Sequence, residues 1–279
     1  MYLFSLLLLF SAILFAEEGG LLLTLHEGES SYTVHTPSTP TLSSKLIFPL
    51  HFYSIGTQYS TQLSDCTLSI GGALLLHSPI EKGEDYDWKE QRLTVYSHSN
   101  NQVAHYQEFY LLLQKPYTTS LQWRTKLHYQ KIDTHWSQTQ QTDYIKEEER
   151  TINKETLHFQ QHLYSLYFGV DYTKILSSKT TYTISPSLVY SYITTKDSHL
   201  LRGFYTQQAF GTLGYHIEAQ IQYHFNPSST CKFTLKHTKL TKDSTPMDYY
   251  NRFDEQYLSY PSSYHYKQTT LTLSYLYSF

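Results

Sequence analysis

Two short motifs hold the side chains in this sequence that are best suited to catalysis. They are Asp85-Tyr86-Asp87-Trp88 and Asp197-Ser198-His199. Alternate residues of an extended segment share a face, so the first motif can aim two carboxylates into one cleft. The second can aim a carboxylate and an imidazole, a pair that suits general-base chemistry. Each motif is weak evidence alone, because acidic residues in exposed loops are usually solvated and Asp-x-His is common by chance.

The sequence offers no competing nucleophile and no recognisable metal motif. It lacks a Gly-x-Ser-x-Gly elbow and a His-Glu-x-x-His motif, and neither Cys66 nor Cys231 lies in a predicted active-site loop. His158 and His162 have a metal-ligand spacing that fits a helix but not a strand. We therefore expect neither a metal nor an organic cofactor. Two cysteines do not make a disulfide framework, and whether they pair stays open.

The elements that must position these motifs are predicted to be strands, and the C-terminal strand is the clearest sign. Every second residue from Leu271 to Phe279 is large and apolar, with small hydroxyl residues between most of them. A period of two sends alternate side chains to opposite faces, which in a transmembrane barrel meet lipid and lumen. A closing amphipathic strand with a terminal aromatic residue resembles the C-terminal signal of bacterial outer-membrane proteins.

The same alternation predicts ten strands in one domain over residues 17–279. The predicted strands lie near residues 21–34, 44–59, 66–76, 102–113, 121–129, 164–172, 181–194, 213–225, 230–241 and 270–279. Short turns alternate from the third strand onward with long polar loops, near residues 78–101, 134–155, 195–208 and 242–263. This alternation is typical of an all-β, ten-stranded antiparallel transmembrane barrel with short periplasmic turns and long extracellular loops. A soluble β-sandwich is the alternative.

The N-terminus and the composition agree with export to a membrane. Residues 2–16 are apolar apart from two serines, which predicts a signal peptide at residues 1–16 with cleavage after Ala16. A membrane-anchored N-terminus is the alternative, since no Lys or Arg precedes the apolar run. No other segment approaches the roughly 20 apolar residues of a spanning helix. The 28 tyrosines suit strands and membrane-interface girdles, and the net charge of −3 does not favour nucleic acid.

Together, in this topology, the two motifs resemble those of the omptin family of outer-membrane proteases. That family is a ten-stranded barrel whose active site lies in an extracellular groove, with Asp-x-Asp-Trp on one side and Asp-x-His on the other. This sequence holds both motifs in that order, after its predicted third and seventh strands. The resemblance covers essentially the whole mature chain, but it rests on motifs and topology and marks a member divergent from the best-known branch.

The resemblance implies an aspartic-type endopeptidase in the bacterial outer membrane that forms no covalent intermediate. His199 would be the general base, Asp197 would orient its imidazole, and Asp85 would position the attacking water from the opposite wall. Asp87 would support the site beside Asp85. The resemblance also implies peptide or protein substrates on the extracellular side, a requirement for lipopolysaccharide, and a monomeric barrel.

The sequence departs from the family at the positions that bind basic substrate side chains. The best-known omptins use an acid four residues before the catalytic histidine, where this chain has Thr195. A second acid aligns with Ser31 or Tyr32, with Glu29 close by. Preference for Arg or Lys is therefore in doubt, unless Glu84 or the acidic run at residues 147–149 restores it. A non-enzymatic adhesin, an inactive relative and a small pore remain alternative functions.

Overall fold

The computed structural model describes residues 17–37 and 39–279, so the predicted signal peptide at residues 1–16 lies outside the described residues. Thirteen antiparallel strands form one sheet. They are β1 (Glu18–Thr36), β2 (Leu42–Pro49), β3 (Phe52–Leu63), β4 (Cys66–His77), β5 (Glu81–Lys89), β6 (Arg92–Pro116), β7 (Leu121–Asp143), β8 (Glu148–Ile152), β9 (Leu157–Ile175), β10 (Thr180–His199), β11 (Phe204–Asn226), β12 (Ser229–Asn251) and β13 (Gln256–Ser278). No helix in that part of the chain is long and apolar enough to cross a membrane.

The sheet closes on itself as a ten-stranded ring. Its order is β1, β3, β4, β6, β7, β9, β10, β11, β12 and β13, and β13 pairs with β1. β2 and β3 together make the predicted second strand, which is interrupted at Leu50 and His51. β5 extends β4 in the same way, and β8 is a short addition to the edge of β7. The predicted ten-stranded antiparallel barrel is confirmed.

The predicted long loops are largely wrong, because most of those residues continue the strands. β6 stays paired with β7 as far as Val95 and Asp143, and β10 stays paired with β11 as far as His199 and Phe204. The turn that follows β10 is only residues 200–203. At this end of the barrel, which we call the upper end, both strand faces carry polar residues. The apolar alternation that marks a strand in sequence is therefore lost, although backbone pairing continues.

The middle of the barrel is apolar outside and mixed inside. On β10, Leu188, Tyr190 and Tyr192 are exposed on the outer face, while Val189 and Ile193 are buried on the inner one. An outer apolar band with aromatic residues is the surface that a lipid bilayer requires. The period of two predicted this arrangement of faces.

Charged side chains occupy the part of the barrel interior that is nearer the short turns. Arg124 Nη1 lies 3.1 Å from Asp171 Oδ1, and its Nη2 lies 3.3 Å from Glu218 Oε2. Lys126 Nζ lies 4.6 Å from the ring centroid of Tyr110. A polar cavity of about 840 Å³ remains beside these groups. Arg124 and Lys126 therefore both face the lumen.

The upper interior is closed by a packed layer that we call the aromatic floor. Its members are Tyr32, Val34, Leu46, Phe48, Trp136, Leu157, Phe159 and Met247. The rings of Phe48 and Phe159 stack at 4.0 Å, and Trp136 packs on Phe48 at 5.0 Å. The floor is built from side chains of β1, β2, β7, β9 and β12. The two sequence motifs lie on β5, which pairs with β2, and on β10, which pairs with β9.

Candidate active site

The first motif lies on a strand and not in a loop. Asp85 is on β5, directly opposite Leu46 of β2, and Asp87 is opposite Ser44. Residues directly opposite each other in an antiparallel pair share a face. Because Leu46 belongs to the aromatic floor, both carboxylates face the interior of the barrel, as their spacing predicted. Ser44 Oγ donates a hydrogen bond of 3.4 Å to Asp85 Oδ1.

The second motif forms the last residues of β10, so its predicted place in a loop is also wrong. Asp197 is opposite Phe159 of the aromatic floor, and His199 is opposite Leu157. The Asp197 side chain is 1% exposed and that of His199 is 16% exposed. His199 Nε2 lies 3.5 Å from Asp197 Oδ2. The imidazole is therefore partly exposed at this end of the barrel interior, a space that we call the groove, and the carboxylate behind it is removed from water.

Tyr32 holds the buried carboxylate of the second motif. Its hydroxyl donates a short hydrogen bond to Asp197 Oδ2, the oxygen that also faces His199. Asp197 Oδ1 has no hydrogen-bond partner among the described residues. Burial raises the pKa of Tyr32 well above its usual value, and the charge of Asp197 raises it further. Tyr32 therefore keeps its proton and remains the donor across the physiological pH range.

The two motifs share one electrostatic environment. Burial raises the pKa of Asp85 to about 7, and the neighbouring charge of Asp87 adds to this shift. His199 and Arg202 lower the pKa of Asp85, while Asp197 on the facing wall raises it slightly. Both motifs pair with strands that carry the aromatic floor, so the four predicted site residues lie at the same end of the barrel.

Two residues of this site have no role that the sequence motifs predict. Tyr32 is one of the two positions that align with a substrate-binding acid, and nothing local indicates that it reaches a carboxylate on β10. Arg202 follows the second motif closely, in the turn closed by the backbone bond from Gly203 N to His199 O. Gly203 suits that turn because its φ of 68° is in the left-handed region. The sequence signal that indicates a role for Arg202 is its position three residues after the candidate base His199.

The acids weighed as a replacement for the basic-residue pocket do not join the motif carboxylates. Glu29 is opposite Lys267 on the outer face and lies 3.8 Å from His265 Nε2. Glu84 alternates with Asp85 on β5, and its Oε1 accepts a hydrogen bond of 2.9 Å from the Tyr96 hydroxyl. The acidic run at residues 147–149 is exposed at the turn before and the start of β8.

Thr195, at one of the predicted pocket positions, belongs to a set of neutral hydrogen-bonded side chains. Thr195 is buried, and its hydroxyl donates to Gln208 Oε1 at 3.3 Å. Gln208 Nε2 in turn donates to Ser262 Oγ at 2.5 Å. Ser30 and Tyr264 both donate to Gln161 Oε1 at 2.6 Å. The layer beneath the aromatic floor is thus an uncharged network of amides and hydroxyls.

Cys66 and Cys231 are free thiols at the short-turn end of the barrel, distant from both motifs in the fold. In the described ranges, no group of three or more His, Cys, Asp or Glu side chains is arranged to hold a metal ion. The chemistry that the site residues themselves offer is that of an imidazole and a set of carboxylates carried by β10 and β5 on their inner faces.

The chain has an omptin-like β-barrel fold. The outer-membrane protease OmpT from Escherichia coli has a crystal structure similar to this chain, with a TM-score of 0.80 at 12% identity, covering 94% of this chain and 96% of that one. The translocator domain of the autotransporter NalP from Neisseria meningitidis and the outer-membrane protein OprG from Pseudomonas aeruginosa are weaker matches. Each has a TM-score of 0.42 at 9% identity; the NalP match covers 93% of this chain and 88% of that one, and the OprG match 95% and 98%. No protein-family model and no curated protein sequence matches the chain.

Proposed function

We propose that this protein is an endopeptidase of the bacterial outer membrane whose active site opens to the extracellular side. The observation that supports it most is the placement of the four motif residues. Asp85 and Asp87 on β5 and Asp197 and His199 on β10 face the barrel interior at the level of the aromatic floor. The match in fold to an outer-membrane protease supports the same proposal.

In the proposed reaction His199 takes a proton from a water molecule, whose oxygen attacks the carbonyl carbon of the scissile peptide bond. Asp197, held by Tyr32, stabilises the imidazolium. Asp85 in its carboxylate form positions the water from the opposite wall, and Asp87 supports it. The C–N bond then breaks, and the imidazolium gives its proton to the departing nitrogen. No bond to the protein forms at any stage.

The remaining parts of the proposal follow from the resemblance to omptins. The substrates are peptides or proteins at the cell surface, and the barrel acts as a monomer. Lipopolysaccharide of the surrounding leaflet supports activity by contact with the barrel exterior. The apolar outer face with its aromatic residues is compatible with such a membrane setting.

The test is cleavage of a peptide library by the refolded barrel in the presence of lipopolysaccharide, read by mass spectrometry. We expect His199→Ala to lose activity by about 10²–10⁴-fold, the usual contribution of a general base, and Asp85→Asn to lose most activity. Ser198→Ala is the control and should cleave like the parent. Ser198 lies between Asp197 and His199 in sequence, but its side chain is on the opposite face of the strand. Parental activity in folded His199→Ala would contradict the proposal.

A non-enzymatic adhesin is the second candidate, and the turn between β12 and β13 favours it. Phe253 is 68% exposed there, and Tyr257 is exposed beside it. Exposed aromatic residues at the tip of a surface protein are suited to contact with another macromolecule. Binding to host matrix that persists when all four motif residues are substituted, without cleavage by the parent, would support this alternative.

A further inference from the structure

A row of aromatic side chains leads away from the candidate base along one wall of the groove. We call it the aromatic ladder, and its members are Phe204, Tyr249 and Tyr260. The ring of Phe204 stacks on His199 with a centroid distance of 4.4 Å and an interplanar angle of 21°. Phe204 and Tyr249 are 5.9 Å apart, and Tyr249 and Tyr260 are 5.6 Å apart. The ladder therefore begins at the imidazole and crosses from β11 to β13.

The ladder is open on one side and supported on the other. Phe204, Tyr249 and Tyr260 are all half-buried. Tyr249 and Tyr260 pack against the aromatic floor, which holds them in place from below. Fixed aromatic rings with a free face offer contact area at a small cost in side-chain entropy. A substrate side chain next to the scissile bond would meet these rings first.

The ladder itself presents no charged side chain to a substrate residue. Three carboxylates, those of Asp85, Asp87 and Asp197, share their electrostatic environment with the cation Arg202. Thr195 is neutral and is bonded to Gln208. Burial raises the pKa of Tyr249 to about 12, with Asp197 adding to the shift, so its hydroxyl stays neutral. A lysine or arginine side chain placed on the ladder would have to share these carboxylates with His199 and Arg202.

We propose that the aromatic ladder selects an aromatic or large apolar substrate residue beside the scissile bond. The proposal rests on the proposed peptidase function and gives its substrate class. Ring-on-ring contact adds to the burial of apolar area, and aromatic pairs prefer the offset and edge arrangements that the ladder presents. We expect the preference over arginine at that position to be about tenfold or more, as one well-placed aromatic contact would give.

The test separates binding from cleavage. Two non-hydrolysable peptides that differ only in Phe or Arg at the selected position are titrated against the parent barrel by fluorescence anisotropy. We expect the Phe peptide to bind at least about tenfold more tightly, and Tyr249→Ala to lose that difference. Tyr249→Phe keeps the ring and should therefore keep the preference for the Phe peptide. Tyr250→Ala is the matched control, because Tyr250 follows on the same strand but stacks on Tyr205 at 5.0 Å, away from the ladder.

Each outcome has a distinct meaning. Equal binding of the two peptides by the parent, or a preference that survives in folded Tyr249→Ala, would overturn the proposed selection. Library cleavage without enrichment of aromatic or large apolar residues would overturn it too and leave the peptidase function standing. A Phe preference in binding by a barrel that cleaves nothing would support the ladder and refute the peptidase. The comparison of peptides on the parent needs no variant, so poor folding of Tyr249→Ala does not remove the test.

Discussion

Replacement of Tyr32 by phenylalanine should weaken both the stability and the activity of the barrel. The change removes one hydroxyl and keeps the ring, which packs against Phe48 and Phe159 in the aromatic floor. The lost group is the donor to Asp197 Oδ2. Since Asp197 Oδ1 already lacks a partner among the described residues, the variant leaves a carboxylate that is 1% exposed with His199 as its remaining neighbour.

The size of the effect follows from the charge of the acceptor. A hydrogen bond to a charged group contributes about 1.5–3 kcal/mol, so the free energy of unfolding should fall by that amount. If poorer orientation of the imidazole raises the activation free energy by a similar amount, kcat should fall by about tenfold to a hundredfold, with KM nearly unchanged. A merely structural role for Tyr32 would lower the folded fraction and leave kcat per folded barrel intact.

Tyr264→Phe is the matched control for this prediction. Tyr264 is equally buried, and its hydroxyl donates to the neutral Gln161 Oε1 at 2.6 Å. A neutral hydrogen bond contributes about 0.5–1.5 kcal/mol, so this variant should lose less stability and keep its kcat. Urea unfolding of the refolded barrel and kinetics on a cleaved peptide give both quantities. Equal losses of stability in the two variants, or an unchanged kcat in Tyr32→Phe, would refute the role given to Tyr32.

Two further predictions concern charge. Because Asp85 acts as a carboxylate and its pKa is raised to about 7, activity should fall as the pH drops through about 7. Asp87→Asn removes a like charge and lowers the pKa of Asp85, so the fall in activity should move about one pH unit lower. An unmoved pH profile would contradict the coupling between the two carboxylates. Arg124→Leu leaves Asp171 and Glu218 without their shared cation and should cost about 3–5 kcal/mol in urea unfolding, and a stable variant would contradict the ion-pair assignment.

Local periodicity accounts for what could be predicted from the sequence. Alternate residues take opposite faces wherever a chain is extended, so the ten strands and the lumenal position of Arg124 follow from the pattern of residue types alone. The same rule places Asp85 with Asp87 and Asp197 with His199 on common faces, whether the segment is a loop or a strand. None of these inferences requires knowledge of a distant partner.

Closure of the barrel decided the rest. The strands continue past the apolar band because neighbouring backbones supply hydrogen bonds there, and polar residue types do not reveal such pairing. Tyr32 meets Asp197 across 165 positions of sequence, and the raised pKa of Asp85 depends on burial and on groups from a facing strand. The pattern of residue types therefore specifies which side chains share a face. Which faces meet depends on the folded barrel, because those contacts arise from long-range strand register and from exclusion of water inside the closed barrel.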